Sequence, residues 1–318
     1  MADLIVGLDI GTTKVCAVVG EMAENGLVDV VGIGTRPSHG MRKGVVVNIE
    51  QTVQSIRGAI EDAELMAGCE INSVYVGIAG GHIAGINSHG VIAVKGGEVG
   101  QRDVERALDA ARAVAIPADR EVIHILPQEY IVDNQRGIAD PLGMAGVRLE
   151  VKVHIVTGAV TSAQNIVRSC HRSELEVSDI ALESLASAKA VLTEEERELG
   201  VALVDIGGGT TDIAVLSMNG VAVSSSLKVA GNYFDEMIAR YVRRQHGVVI
   251  GQVTAENVKI QIGQVYPRDE ERSMNVKGRD FKTGMPKVIT LTSTEIEECA
   301  SGVIKKLTKR LGAELRTR

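Results

Sequence analysis

The sequence predicts an α/β protein built from two similar halves, and three observations carry that reading. Apolar runs of strand length alternate with amphipathic helical stretches along the chain. The apolar residues are Val, Ile, Leu and Ala, with no Trp and only two Phe, the palette of buried parallel sheets covered by helices. One strand–turn–strand pattern is written twice, as IVGLDIGTTKVCAVVG over residues 5–20 and as ALVDIGGGTTDIAVL over residues 202–216.

Taken in order, residues 4–10 and 14–20 flank the first turn as a β-hairpin. Asn-Gly at 25–26 then leads into LVDVVGIGT, a third strand. Residues 49–67 place Ile49, Val53, Ile56, Ile60 and Leu65 on one helical face. A strand at 72–79 follows, then a helix at 102–114 with Val104, Ala107, Leu108 and Ala111 inward. Strands at 121–131 and 150–157 precede helices at 161–172 and 178–192. The segment TEEERELG, 193–200, reads as an acidic surface turn and as the boundary between halves. The hairpin recurs over 201–216, and Asn-Gly at 219–220 leads into VAVSSSLKV, so the three-strand meander is an internal repeat. Helices at 233–246 and 254–263, strands at 272–277 and 287–292, and a helix at 293–312 complete the chain's elements. That last helix opens on TSTEIEE, a Ser/Thr cap with Glu three residues on.

A chain of 318 residues suits two domains of about 150 residues each. The net charge of −7 runs against nucleic-acid binding, which favours a basic domain. Cys16, Cys69, Cys170 and Cys299 form no CxxC pair and read as reduced thiols. No signal peptide opens the chain and no apolar run reaches the 18 residues of a membrane span. The expected protein is cytoplasmic, attached at most to a membrane surface.

The two turns have a chemistry. Gly- and Thr-rich turns aim several backbone N–H groups into one concavity, a nest that binds phosphate. Asp9 and Asp205 stand just before their turns. A carboxylate beside a phosphate nest repels it unless a cation intervenes, and Mg²⁺ carried by a nucleotide fits. A single such hairpin is an ordinary tight turn; two matched copies facing each other form a clamp for one polyphosphate. Neither is a Walker loop, since no GxxxxGK[ST] occurs.

The paired turns resemble the phosphate-1 and phosphate-2 loops of the actin/Hsp70/sugar-kinase superfamily. Residues 5–215 resemble the bacterial cell-division family FtsA through VGLDIGTTKV, GMRKGVVVNIE, AELMAGCEINSVYVGIAGGHI, HILPQEYIVDNQRGIADPLGMAGVRLEVKVHIVTG and AVLTEEERELGVALVDIGGGTTDIAV. The block at 124–158 is similar to the FtsA subdomain called 1C. From about 213 to 296, GNYFDEMI, TAENVK and VKGRDF are similar to the second half of MreB, the rod-shape actin. The chain reads as a mosaic with its seam near 205–217.

The resemblance implies an actin-like, ribonuclease-H-like two-lobed ATPase fold. Residues 1–82 and 160–199 would form subdomain 1A, 83–159 subdomain 1C, 200–230 and 290–318 part of 2A, and 231–289 an MreB-like 2B. Both families continue for about a hundred residues beyond the point where this chain stops, so the second lobe is expected to be incomplete, without the loop that meets adenine. The implied cofactors are ATP and Mg²⁺. Asp9, Gly11, Thr12, Thr13 and Lys14 would form the first phosphate loop; Asp205, Gly207, Gly208, Gly209, Thr210 and Thr211 the second; Asp9 and Asp205 would reach Mg²⁺ through water. Glu183 matches the carboxylate that orients attacking water, the other reading being an exposed helix Glu. Gly231 opens a helix whose N-terminus suits phosphate. Glu256 and Lys259 match positions near ribose and adenine, although their spacing also suits a surface ion pair.

The implied function is an ATP-binding filament protein with weak ATPase activity at most. It would link the ring of its tubulin-like partner FtsZ to the inner membrane and meet other division proteins through 1C. FtsZ docks through 2B, which here is MreB-like. An MreB-like cell-shape filament, and a truncated or chimeric chain with impaired nucleotide binding, are the alternatives; the 1C block argues against a sugar kinase or phosphatase. Asp212 reads equally as a loop residue or a solvated acid. His124 and His154, in apolar strands, read as satisfied core histidines, and Arg42 and Lys43 as a surface turn. The basic tail, 301–318, with Val303, Ile304, Leu307, Leu311 and Leu315 at helical spacing, reads as a packed helix before a lipid-binding one.

Overall fold

The computed structural model describes residues 4–24, 26–217, 220–266 and 269–316. Asn25 and Asn219 of the two Asn-Gly turns lie outside these, as do residues 317 and 318 of the basic tail. The chain forms two compact units, Met1–Lys228 and Val229–Arg318.

In the first unit, β1 (Leu4–Ile10), β2 (Lys14–Met22) and β3 (Val28–Pro37) form the expected meander, followed by the short pair β4 (Met41–Arg42) and β5 (Val45–Val46). Helix α1 (Ile49–Ala67) starts where Asn48 Oδ1 accepts from Gln51 N and stops at left-handed Gly68. It buries Val53, Ile56, Ala59, Ile60 and Ala63, whereas Leu65 is 84% exposed. The inward stripe runs through Ala59 and Ala63, and at about 100° per residue Leu65 falls on the opposite side of the helix, so its expected place on that face is corrected.

Strand β6 (Ser73–Ile78) pairs parallel with β1. The chain then leaves the sheet to build a second one from β7 (Ala84–Ala93), β8 (Arg120–Val132), β9 (Gln135–Ile138) and β10 (Arg148–Ala159), ordered β7-β10-β8-β9 and covered by α2 (Gln101–Arg112). It returns through α3 (Val160–Arg172) to β11 (Glu176–Leu182), parallel to β6 at the sheet edge. The helix expected over 178–192 is therefore a strand up to Leu182 and the helix α4 (Glu183–Val191) after it. The pairing of Ile180, Ala181 and Leu182 with β6 overrides their local helical pattern. The five-stranded sheet β11-β6-β1-β2-β3 is parallel only at β1–β6–β11, so the parallel-sheet palette applies to that part of it.

TEEERELG forms a one-turn helix, α5 (Glu194–Leu199), opened by a capping box between Thr193 and Glu196. It lies inside the first unit, as does the second meander of β12 (Val201–Ile206), β13 (Thr211–Ser217) and β14 (Gly220–Leu227). Ala214, Leu216 and Val221 of that meander bury against Ala188 of α4. Its last strand is hydrogen-bonded to the inserted sheet: Asn87 Nδ2 donates to Ala222 O at 3.3 Å, Gln128 Nε2 to Val221 O at 2.8 Å, and His154 Nε2 lies 2.9 Å from Ser224 Oγ.

The second unit packs α6 (Gly231–His246), α7 (Gln252–Ile262) and α8 (Ser293–Glu314) around the sheet of β15 (Val248–Val249), β16 (Ser273–Asp280) and β17 (Pro286–Thr292). Thr292 caps α8 as its sequence promised. Val303 and Leu307 of α8 are buried while Leu315 is exposed, so the basic tail is a packed helix over most of its length.

Candidate functional site

Both glycine turns close the same gap. β1 and β2 pair as far as Ile10 with Val15, leaving Gly11, Thr12, Thr13 and Lys14 to turn. β12 and β13 pair as far as Ile206 with Thr211, leaving Gly207, Gly208, Gly209 and Thr210. Thr210 and Thr211 thus sit where Lys14 and Val15 sit in the first copy. Asp9 stands opposite Cys16, and Asp205 opposite Asp212.

The two turns touch. A Cβ placed on Gly209 would lie 2.5 Å from Thr12 Oγ1 and 2.9 Å from Lys43 Cα, so only glycine fits there. Gly44 N donates to Thr12 Oγ1 at 3.0 Å, and Gly207 N donates to Thr210 O at 2.9 Å within its own turn. The side chains of Arg42 and Lys43 are exposed as expected, yet the backbone of GMRKG supports the first turn.

Four carboxylates share this region. Glu183 is the first residue of α4, and its side chain lies over Gly77, where a Cβ would come within 2.9 Å of Glu183 Cγ. Burial, then the charges of Asp9, Asp212 and Asp205, push its carboxyl well above the usual range. It is half-buried rather than the exposed helix Glu of the alternative reading. Burial also raises Asp9, against the pull of Lys14 and with the push of Asp205. Burial raises Asp212 too, although Thr210 and the Gly80 backbone beside it oppose the shift. Asp212 therefore belongs to the cluster and is not a solvated turn acid. Ser187 Oγ donates to Asp205 Oδ2 at 2.9 Å. Among the described residues, no group of three or more His, Cys, Asp or Glu has the spacing to hold a metal ion directly.

Both apolar-strand histidines are satisfied. His154 Nδ1 lies 2.6 Å from Asn87 Oδ1 and its Nε2 meets Ser224, with burial lowering it to about 4. His124 Nε2 accepts from Leu182 N at 3.0 Å.

In the second unit, Gly231 opens α6 and Lys259 reaches it, donating to Gly231 O at 3.3 Å. Lys259 Nζ is 2.8 Å from Asp235 Oδ1, a carboxylate only 1% exposed. Lys259 thus pairs with buried Asp235, not with Glu256, because the short Asp on α6 lies within reach of α7. Burial raises Asp235, Lys259 opposes that, and the charge of Glu256 adds to it. Lys259 also lines an apolar cavity of about 300 Å³ with Phe234, Ile238, Ile296 and Cys299.

The sequence reading missed Ser187, Gly44 and Gly77. Their signal is contact across the fold, which no local motif carries.

Residues 80–157 match the SHS2 domain inserted in FTSA, and residues 164–317 match the MreB/Mbl protein family. Cell division protein FtsA of Pseudomonas aeruginosa is 58% identical over 240 residues, covering 76% of this chain and 58% of that protein. The chain is FtsA-like over three quarters of its length. FtsA of Escherichia coli K12 is 40% identical over 272 residues, 82% of this FtsA-like chain and 65% of that protein. The chain thus spans about three fifths of the length of such relatives. Among solved structures, MreB5 of Spiroplasma citri, bound to ADP, shares the fold with a TM-score of 0.62 at 21% identity, covering 99% of this chain and 79% of that one. A chain of the PilM–PilN type IV pilus biogenesis complex shares it with a TM-score of 0.65 at 17% identity, covering 98% and 76%. No described helix of the FtsA-like chain is long and apolar enough to cross a membrane.

Proposed function

We propose that the chain is an ATP-binding, actin-like protein of bacterial cell division. The observation that carries this is the contact of the two glycine turns, each preceded by an Asp, beside Glu183. Backbone N–H groups of Gly11–Lys14 and Gly208–Thr210 would cradle phosphates, with Gly207 N, bonded to Thr210 O, shaping the second turn. Asp9 and Asp205 would face Mg²⁺ through its waters, since crowded carboxylates favour a hydrated cation among them. Glu183, held against like charges, suits a general base for attacking water, with slow turnover. Gly231, Glu256 and Lys259 are read as nucleotide contacts by resemblance to MreB.

Under this reading residues 1–82 and 160–199 are subdomain 1A, 83–159 subdomain 1C, 200–230 and 290–318 belong to 2A, and 231–289 to 2B. The protein would self-assemble and work with FtsZ at the cytoplasmic face of the division site. The measurement is thermal melting with and without Mg-ATP, joined to sedimentation at micromolar concentration: ATP must raise the midpoint. Absence of any shift sinks the reading. The MreB/Mbl match over 164–317 favours a second reading, an MreB-like cell-shape filament. Pull-down against purified FtsZ separates the two, since only the first predicts capture.

A further inference from the structure

Ser187 lies outside both turn motifs, yet it holds one of their acids. We infer that Ser187 is a positioning residue that orients the Asp205 carboxylate toward a magnesium–nucleotide; this rests on the nucleotide reading above. Glu183 and Ser187 stand one turn apart on α4, so the helix presents both on one face. A helical serine commonly returns its hydroxyl to the carbonyl four residues earlier. Ser187 Oγ donates instead to Asp205 Oδ2 at 2.9 Å.

Asp205 needs such a restraint. It stands opposite Asp212 on the neighbouring strand, and its charge acts on Asp9, Glu183 and Asp212. A free carboxylate among three others lowers its energy by rotating away from them. The Ser187 bond engages Oδ2 and leaves Oδ1 for a water of the hydrated cation. A neutral hydroxyl does this without bringing a positive charge that would repel Mg²⁺, as a lysine would. Because α4 also carries Glu183, one rigid element sets the metal-facing acid and the water-facing acid together.

The test measures a fluorescent ATP analogue binding to the full chain, with Mg²⁺ and with EDTA, for the wild type, Ser187→Ala and Ser187→Thr. A hydrogen bond to a charged group predicts that Ser187→Ala weakens Mg²⁺-supported binding about tenfold. Its affinity in EDTA stays within about twofold of wild type, and Ser187→Thr restores the Mg²⁺ gain. Equal weakening in Mg²⁺ and EDTA marks a structural role and overturns the inference, as does an unchanged Mg²⁺ gain in Ser187→Ala. A wild type that binds well but equally in both conditions overturns it while leaving nucleotide binding intact. A wild type that binds in neither condition overturns the nucleotide reading and Ser187 with it. Melting midpoints of the unliganded variants separate lost folding from lost binding.

Discussion

Gly209 of the second turn rests directly on Thr12 of the first, across nearly two hundred residues of chain. Gly209→Ala would drive a methyl group into Thr12 Oγ1 and the Lys43 backbone. Overpacking of this kind costs about 1–3 kcal/mol. Thermal melting should show a midpoint lower by several degrees, and nucleotide affinity should fall with it. An unchanged midpoint would mean that the turns separate freely.

Glu183→Gln should keep nucleotide binding and lower ATP hydrolysis about a hundredfold, the usual scale for removing a general base. Phosphate release under single-turnover conditions is the readout. The same change should alter stability in the absence of nucleotide. A carboxyl raised in the folded state is stabilising below its unfolded pKa, and that stability is lost as pH rises toward the folded value. Denaturant titrations from pH 4.5 upward should therefore decline less steeply in the Gln variant than in the wild type.

His154 gives the opposite slope. Its folded value of about 4 lies below the usual 6.5, so burial of the neutral ring stabilises above pH 6.5 and loses that contribution as pH falls toward 4. The full swing is on the order of 3 kcal/mol. His154→Gln should flatten the stability profile between pH 6.5 and 4, read by urea midpoints. A parallel profile would place the ring in water.

Lys259 is the partner of a buried acid before it is anything else. Lys259→Met strands Asp235, a loss of about 3–5 kcal/mol typical of a broken buried pair. The double variant Lys259→Met with Asp235→Leu should recover most of it in a chemical melt of the second unit's transition.

Thr292→Ala removes the hydroxyl that accepts from Glu295 N, a cap worth about 1 kcal/mol. Glu295→Ala should cost more, because its two oxygens serve Thr292 N and His246 Nε2 at once. Helix-detected melting ranks the two.

Elements with local causes were readable in advance. Helix α1 ends where Asn48 and Gly68 dictate, and α8 begins at the Thr292–Glu295 box, because caps act within a few residues. The Asp–Gly–Thr turns were legible since their chemistry needs those residue types in sequence. What failed depended on partners far along the chain. Residues 178–182 became a strand because β6 offered them a ladder; Leu65, by contrast, faces outward for a local reason, its place on the side of α1 opposite Val53, Ile56 and Ile60. Of the candidate site, the Asp and Gly positions were visible, but Ser187 and Gly77 act only through contacts made in the folded chain. The pairing of Lys259 with Asp235 was hidden for the same reason.

The bonds from Asn87, Gln128 and His154 to β14 set a timetable for synthesis. The inserted sheet is complete in sequence at Ala159, but the carbonyls and hydroxyl that satisfy its polar groups arrive only with residues 221–224. At roughly 5–20 residues per second, a ribosome takes on the order of ten seconds to cross that interval. During it His154 Nε2 and Gln128 Nε2 of the nascent sheet are bonded to water, which they exchange for chain partners only when β14 docks.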